Sequence, residues 1–441
     1  MRVADTATPE EFDLSGDRLL GDVLVPHVSR SASRAVQAGV EPEAAAAVLR
    51  RVGTYWLEVG AAGEAVRVTR LAASVARHVS DLEHGRTLLE LGRALYSSGD
   101  TAGARAELVR GLELLADRPD AAGAKVEAVL ANELGAVALQ EGNIDECLQL
   151  QGHALEVLNS RAPEDSYAAA VLNDIAHAME SIPSERETAA TYYEAALARF
   201  EAECGSSHPW VATVSGNYAR LLSNLGRHRD ARRAAERALE IDRNHYGPNH
   251  DKVAIRYNNF APILQDLGST AEAHTCLERA ARIWKDLFGP RHPNIAAAKS
   301  NLGRLLIEDG QDEVAVRILC EAISIWQDVF PTGHLKEAVT HYHLARAYRN
   351  LQEHDLARAA ASRSLEIETA VLGSDAPDLV STLVLMADVE IDAGSAQSAN
   401  SLLARARSIG VAHPDRAHLA GAVDRASRRL SLSQETHAAS P

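Results

Sequence analysis

His208, His250, His292 and His334 follow one another at intervals of 42 residues, and Ala376-Pro377 takes the same slot one interval later. Ala231, Ala273, Ala315, Ala357 and Ala399 keep the same step. So do Ala238, Ala280, Ala322, Ser364 and Ala406, with one lapse at the serine. Three ladders in one phase restrict the fold severely. A chain that repeats at this period is one supersecondary unit stacked on copies of itself, each burying its apolar face against the next.

Composition says which unit. Hydrophobic residues make up 46% of the 441 residues and aromatic residues 4%, so the core is built from alanine and leucine. Alanine is the strongest helix former, and the β-branched, aromatic runs that make strands are missing. The chain is therefore expected to be all-α. Its net charge of −16 argues against nucleic acid and anionic membrane as partners, since both select a basic surface. No stretch approaches the ~18 apolar residues of a membrane span. Cys147, Cys204, Cys276 and Cys320 are far apart, without a CxxC pair, which fits a reducing, cytoplasmic setting. The opening MRVADTATPEEFDLSGD lacks the apolar core of a signal peptide.

The register can be followed by its turns. Gly60, Gly99, Gly142, Ser184, Gly226, Gly268, Gly310, Gln352 and Gly394 mark about nine helical hairpins. Small residues follow each turn at fixed offsets, as at Ala65 and Ala72, Ala104 and Gly111, Cys147 and Ala154, and Ala189 and Ala196. Such positions let paired helices approach closely. In the unit from His208 to Tyr246, Pro209 suits a first helical turn, and Gly247-Pro248 ends the second helix. The expected organisation is a tail and lead-in helix over 1–42, with apolar periodicity from Asp17 to Ala38 and a possible break at Pro26. Repeats over 43–411, a capping helix over 412–430 and a disordered tail over 431–441 follow.

Segments such as SNLGRLLIEDGQDEVAVRILCEAISI and GPRHPNIAAAKSNLG resemble the tetratricopeptide repeat in its 42-residue, kinesin-light-chain-like form. The resemblance covers roughly Glu43 to Ile409 and departs at Ser184, Gln352 and Pro262. It implies a right-handed α-α superhelix, a tetratricopeptide solenoid, whose first helices line a concave groove. The lead-in LVPHVSRSASRAVQAGVEPEAAAAVLRRVGTYWLEVG resembles the connector before the repeats of bacterial NB-ARC-type (STAND) signalling ATPases. No GxxxxGK[ST] occurs in the chain and no helix-turn-helix segment precedes the repeats, so the nucleotide switch is expected on another chain.

If first helices face a groove, one recurrent slot holds Asn217, Asn259, Asn301 and His343, with Asn258 beside Asn259. Three residues on lie Arg220, Pro262, Arg304 and Arg346, with Arg349 a turn beyond. Asparagine offers both donor and acceptor to an extended backbone, and arginine forks pair with carboxylates. The competing explanation is that asparagine orders the layer between helices while arginine solvates a face. Upstream the same slot holds Glu90, Glu133 and Ile175, the last beside Asp174. Glu90 and Glu133 read as solvated charges. The histidine ladder is spaced by a whole helix-pair layer, about 10 Å, too far for shared metal coordination at about 2 Å. At the starts of helices, these residues read as caps. The cysteines and the periodic Trp284 and Trp326 read as packing.

No GxSxG, HExxH or paired-carboxylate motif occurs. The reading is a non-catalytic scaffold or sensor that holds a peptide or protein segment, with no catalytic residue, cofactor or metal. Two alternatives stay open: a sensory subunit of a separately encoded ATPase or regulator, and an enzyme or small-molecule binder with a closed pocket. Oligomeric state is left open.

Overall fold

The computed structural model describes residues 27, 30–32, 34, 38 and 41–438, apart from 59, 117, 119, 332 and 414–416. Most of the expected lead-in helix, Pro26 included, lies outside them. The chain divides into two compact units, Met1–Leu221 and Leu222–Pro441.

Among the described residues there are nineteen α-helices and no strand. The first unit contains the pairs α1 (Pro42–Glu58) and α2 (Ala62–Ala76), α3 (Asp81–Ser97) and α4 (Thr101–Leu115), α5 (Ala121–Gln140) and α6 (Ile144–Arg161), and α7 (Tyr167–Met179) and α8 (Arg186–Cys204). Helix α9 (Pro209–Asn224) carries the division and is followed by α10 (His228–Tyr246). The second unit continues with α11 (Asp251–Asp266) and α12 (Thr270–Phe288), α13 (Pro293–Glu308) and α14 (Asp312–Val329), α15 (Leu335–Asn350) and α16 (His354–Leu372), and α17 (Leu379–Asp392) and α18 (Ala396–Ala412). Helix α19 (Ala417–Ala438) comes last. None of these helices is long and apolar enough to cross a membrane.

The small-residue ladders form the seams of the hairpins. Ala231, Ala273, Ala315, Ala357 and Ala399 are fully buried, as are Ala238, Ala280, Ala322 and Ala406. Ser364, the lapse in the second ladder, is equally buried because its hydroxyl donates to the Ala338 carbonyl at 2.8 Å. Where the first helix supplies the small residue, the second fills the space. A Cβ on Gly303 would meet Leu319 Cδ2 at 2.4 Å, and one on Gly92 would meet Leu108 Cδ2 at 2.7 Å. Such contacts reproduce the close packing of protein interiors.

Turn chemistry follows the glycines, with two exceptions. The glycines of the ordinary turns take positive φ, as at Gly226 (75°) and Gly310 (71°). Gln352 occupies the same slot at φ 63°, a left-handed conformation that costs a side-chain-bearing residue about 1–2 kcal/mol. At Ser184 the chain uses a different connection, a short 3-10 helix over Pro183–Glu185. Pro262 leaves α11 continuous from Asp251 to Asp266.

The histidines cap, and the structure shows how. Nδ1 of His208, His250, His292 and His334 accepts the backbone N–H two residues on, at 3.2, 3.2, 3.3 and 3.0 Å. Three of these rings also lie against an aromatic residue at the end of the preceding helix. Tyr246–His250, Phe288–His292 and Phe330–His334 have centroids 4.5, 4.4 and 4.6 Å apart. The stacking residues keep the same interval as the caps, so these three joints between repeats are built alike.

At the C-terminal end α19 packs on α17 and α18, and Leu419, Val423, Ala426 and Leu430 close the apolar core around Leu379, Leu383 and Leu403. The helix runs to Ala438, through residues that composition alone assigned to a disordered tail. Cys147 is fully buried, and burial pushes its thiol up to about 11. Cys320, expected in packing, is instead exposed. Trp284 and Trp326 are buried on second helices, as expected.

Two outcomes follow. Gln352→Gly should raise stability by about 0.5–1 kcal/mol, because relief of the left-handed strain exceeds the extra freedom glycine gives the unfolded chain. A lower denaturant midpoint would contradict this. The second concerns acid. A capping Nδ1 must be unprotonated to accept an N–H, and burial holds His292 and His334 below the ordinary histidine value. The unfolded chain therefore binds the proton first. Their contribution is complete above about pH 6.5 and is lost as pH falls through the depressed folded values. Replacing both with asparagine keeps a capping oxygen that does not titrate, so urea midpoints between pH 5 and 8 should change less steeply than in the parent. An unchanged pH slope would show that the caps are not responsible.

Candidate functional site

The first helices of the second unit bring part of the Asn/Arg set together. Asn301 Nδ2 on α13 donates to Asn258 Oδ1 on α11 at 3.0 Å, and Asn258 Nδ2 donates to Asn259 Oδ1 at 3.2 Å. The rung between repeats thus runs through Asn258, not through Asn259, which shares the slot of Asn301. Asn259 is exposed, and its side-chain amide donates no hydrogen bond among the described residues. Arg304 reaches only Glu308, one turn along its own helix, at 3.1 Å.

His343 and Arg346 differ from the rest. His343 is 9% exposed, and its Nδ1 has no hydrogen-bond partner among the described residues. Burial first, then Arg346 and Arg304, pushes its pKa down to about 3, so the ring is neutral at physiological pH. Arg346 is half-buried and makes no side-chain hydrogen bond or ion pair among the described residues. Arg349 is committed elsewhere. It pairs with Asp392 at 2.6 Å and Asp388 at 3.4 Å, and Arg429 of α19 closes on the same two carboxylates.

In the first unit the corresponding residues are engaged within the fold. Asn217 Nδ2 donates to Asn173 Oδ1 at 3.0 Å, and Arg220 binds Glu180 at 2.9 Å and His177 at 3.1 Å. Asn132 Nδ2 donates to both Asp174 at 2.7 Å and the Tyr167 hydroxyl at 3.1 Å. For these positions the layer-ordering explanation describes what is seen.

Glu90 and Glu133 are not the isolated solvated charges their spacing suggested. Arg93, one turn from Glu90, holds Glu133 at 2.9 and 2.7 Å and Glu90 at 2.9 Å, and Thr54 donates to Glu90 at 3.2 Å. Glu90 is buried. Burial works against the charge on Arg93, but Glu133 and Glu90 outweigh it and raise its pKa. Asp174 lies above the usual carboxylate range, mainly through burial and with Glu133 adding to it.

A further feature escaped the sequence reading. Trp210 on α9 is 48% exposed and stands 5.3 Å from Phe200, on the wall of a cavity that also includes Tyr167 and Asn173. The signal was available. The slot of Trp210 holds Lys252, Asn294, Lys336 and Asp378 in later repeats, so an indole there departs from a polar pattern.

The sequence profile described as "Tetratricopeptide repeat" matches residues 184–244, 252–328 and 336–409. The chain is a tetratricopeptide repeat protein. No curated protein sequence matches it. Among solved structures, the apo quorum sensor NprR from B. thuringiensis is 14% identical, with a TM-score of 0.55, covering 81% of this chain and 96% of that one. A Rap protein complexed with competence and sporulation factor is 15% identical, with a TM-score of 0.52 and coverages of 83% and 98%. A signal transduction ATPase with numerous domains from Pyrococcus horikoshii, bearing a tetratricopeptide repeat sensor, is 14% identical with a TM-score of 0.55. That match covers 86% of this chain and 55% of the other. At these identities the likeness is one of fold.

Removing the cation that joins Glu90 to Glu133 should be costly. Arg93→Met is expected to destabilise the protein by about 2 kcal/mol, because Glu90 is left buried without its charged donor. In a Glu90→Gln background the same substitution should cost much less. Equal costs in the two backgrounds, measured by urea melts, would mean that the pair is not coupled.

Proposed function

We propose that this repeat protein is a non-catalytic scaffold or sensor that holds an extended peptide or protein segment along the first-helix face of its second unit. Asn259 supplies the free donor for the segment's backbone, and Arg304 and Arg346 receive an acidic group. The observation that carries this reading is Arg346, an unpaired guanidinium beside the buried, neutral His343. A planar fork of donors in a partly desolvated place gains more from a carboxylate than one in open water. An extended segment loses conformational entropy on binding, and a row of contacts along successive helices offsets that loss.

The proposed site takes in fewer residues than the periodic pattern suggested. Asn217 and Arg220 already bind within the first unit, and Arg349 is held by Asp388 and Asp392. Asn258 and Asn301 serve as the support on which Asn259 stands.

The test is affinity capture from the native extract. The parent protein is compared with an Asn259→Ala, Arg346→Glu double variant whose melting temperature is checked beforehand. Capture by the folded variant should fall at least several-fold, and capture by the parent should weaken as salt rises toward 1 M, where charge is screened over about 3 Å. Equal capture by parent and folded variant would sink the proposal.

A further inference from the structure

The first unit holds a cavity of about 280 Å³ between the first helices α5, α7 and α9 and the end of α8. Tyr167, Phe200 and Trp210 give it three aromatic walls, and Ala170 and Val214 complete its apolar lining. It lies just below the ~300–1,000 Å³ of ordinary small-molecule pockets. It has room for one large side chain, with the chain bearing that side chain left outside.

The polar edge of this cavity leads into an acidic cluster. The Tyr167 hydroxyl accepts from Asn132, which also donates to Asp174, and the cavity residue Asn173 donates to the other Asp174 oxygen at 2.9 Å. Glu133 and Glu90 lie beyond, sharing the single guanidinium of Arg93. Lys125, on the cavity rim, is taken by Asp165 at 3.0 Å. Three carboxylates therefore face one cation, and the cluster is short of donors. Asn132 is 5% exposed, and its Oδ1 has no hydrogen-bond partner among the described residues.

We propose that this cavity is a second binding site, independent of the Asn/Arg face, which takes an aromatic side chain from a peptide whose adjacent residue is arginine or lysine. The ring stacks among Tyr167, Phe200 and Trp210. The cation lies against the Asp174–Glu133 side of the cluster and supplies the missing positive charge. Aromatic pairs favour tilted or edge contacts over a face-to-face sandwich, and the 51° angle between Trp210 and Phe200 leaves such contacts open to a third ring. An acidic neighbour would be repelled by the same carboxylates, so charge decides which aromatic segment is accepted.

The probes are fluorescein-labelled, end-capped hexapeptides with Phe-Arg, Phe-Glu or Ala-Arg at the centre of a Gly/Ser frame, read by anisotropy at low salt. The Phe-Arg peptide should bind about tenfold more tightly than either of the others, since each lacks one of the two contacts. Ala170→Trp or Thr213→Trp fills the cavity from opposite walls and should reduce Phe-Arg binding to the Ala-Arg level. Two plugs are used so that one remains informative if the other unfolds. Arg346→Glu should leave Phe-Arg binding unchanged, which separates this site from the face of the second unit. Equal affinity for Phe-Glu, no binding of Phe-Arg at millimolar concentration, or undiminished binding by a folded plugged variant would each overturn the proposal.

Discussion

In α12, Ala273 and Ala280 present nothing larger than a methyl group to the helix they pack on, and both are fully buried. In the next hairpin the relation is reversed at one point, where Gly303 makes room for Leu319. Everything else about the protein depends on this close approach of paired helices. It sets the distance between the two helices of a hairpin, and that distance leaves the first helices near enough to form rungs of their own. Because the contact is dispersion and apolar burial over a small area, each hairpin is stabilised mainly by its neighbours.

Polar side chains are spent between first helices in two different ways. In the first unit they form a connected network, from Thr54 through Glu90, Arg93 and Glu133, and from Asn132 through Asp174 and Asn173 to Asn217. Such groups rigidify the layer because each would be costly to bury alone. In the second unit the network is thinner. Asn258 and Asn301 make one rung, while Asn259, His343 and Arg346 keep unused capacity. Candidate recognition residues are those left over when the helices have satisfied each other.

The same distinction separates two residues of identical type. Arg346 and Arg349 lie three residues apart on α15, and both seemed equally free in the periodic pattern. Arg349 is captured by carboxylates of α17, and α19 adds Arg429 to the same pair. Among the described residues no carboxylate reaches Arg346. Position along the helix fixes which neighbour a side chain can meet, and a difference of less than one turn is enough to change it.

The period of 42 residues, the hairpin turns, the buried alanine seams and the histidine caps were all legible in the sequence, because each rests on a local rule repeated many times. A glycine turn, a proline at a helix start or a methyl-sized seam residue needs only its own repeat to be recognised. What tertiary structure alone decided was pairing: that Asn301 meets Asn258 and not Asn259, that Arg93 gathers Glu90 and Glu133, and that Tyr167, Phe200 and Trp210 enclose a cavity. Most of these contacts join different helices, and Asn301–Asn258 and Arg93–Glu133 join side chains some forty residues apart. Periodicity reports which face a residue occupies; only the packed helices determine whether a partner on that face has already claimed it.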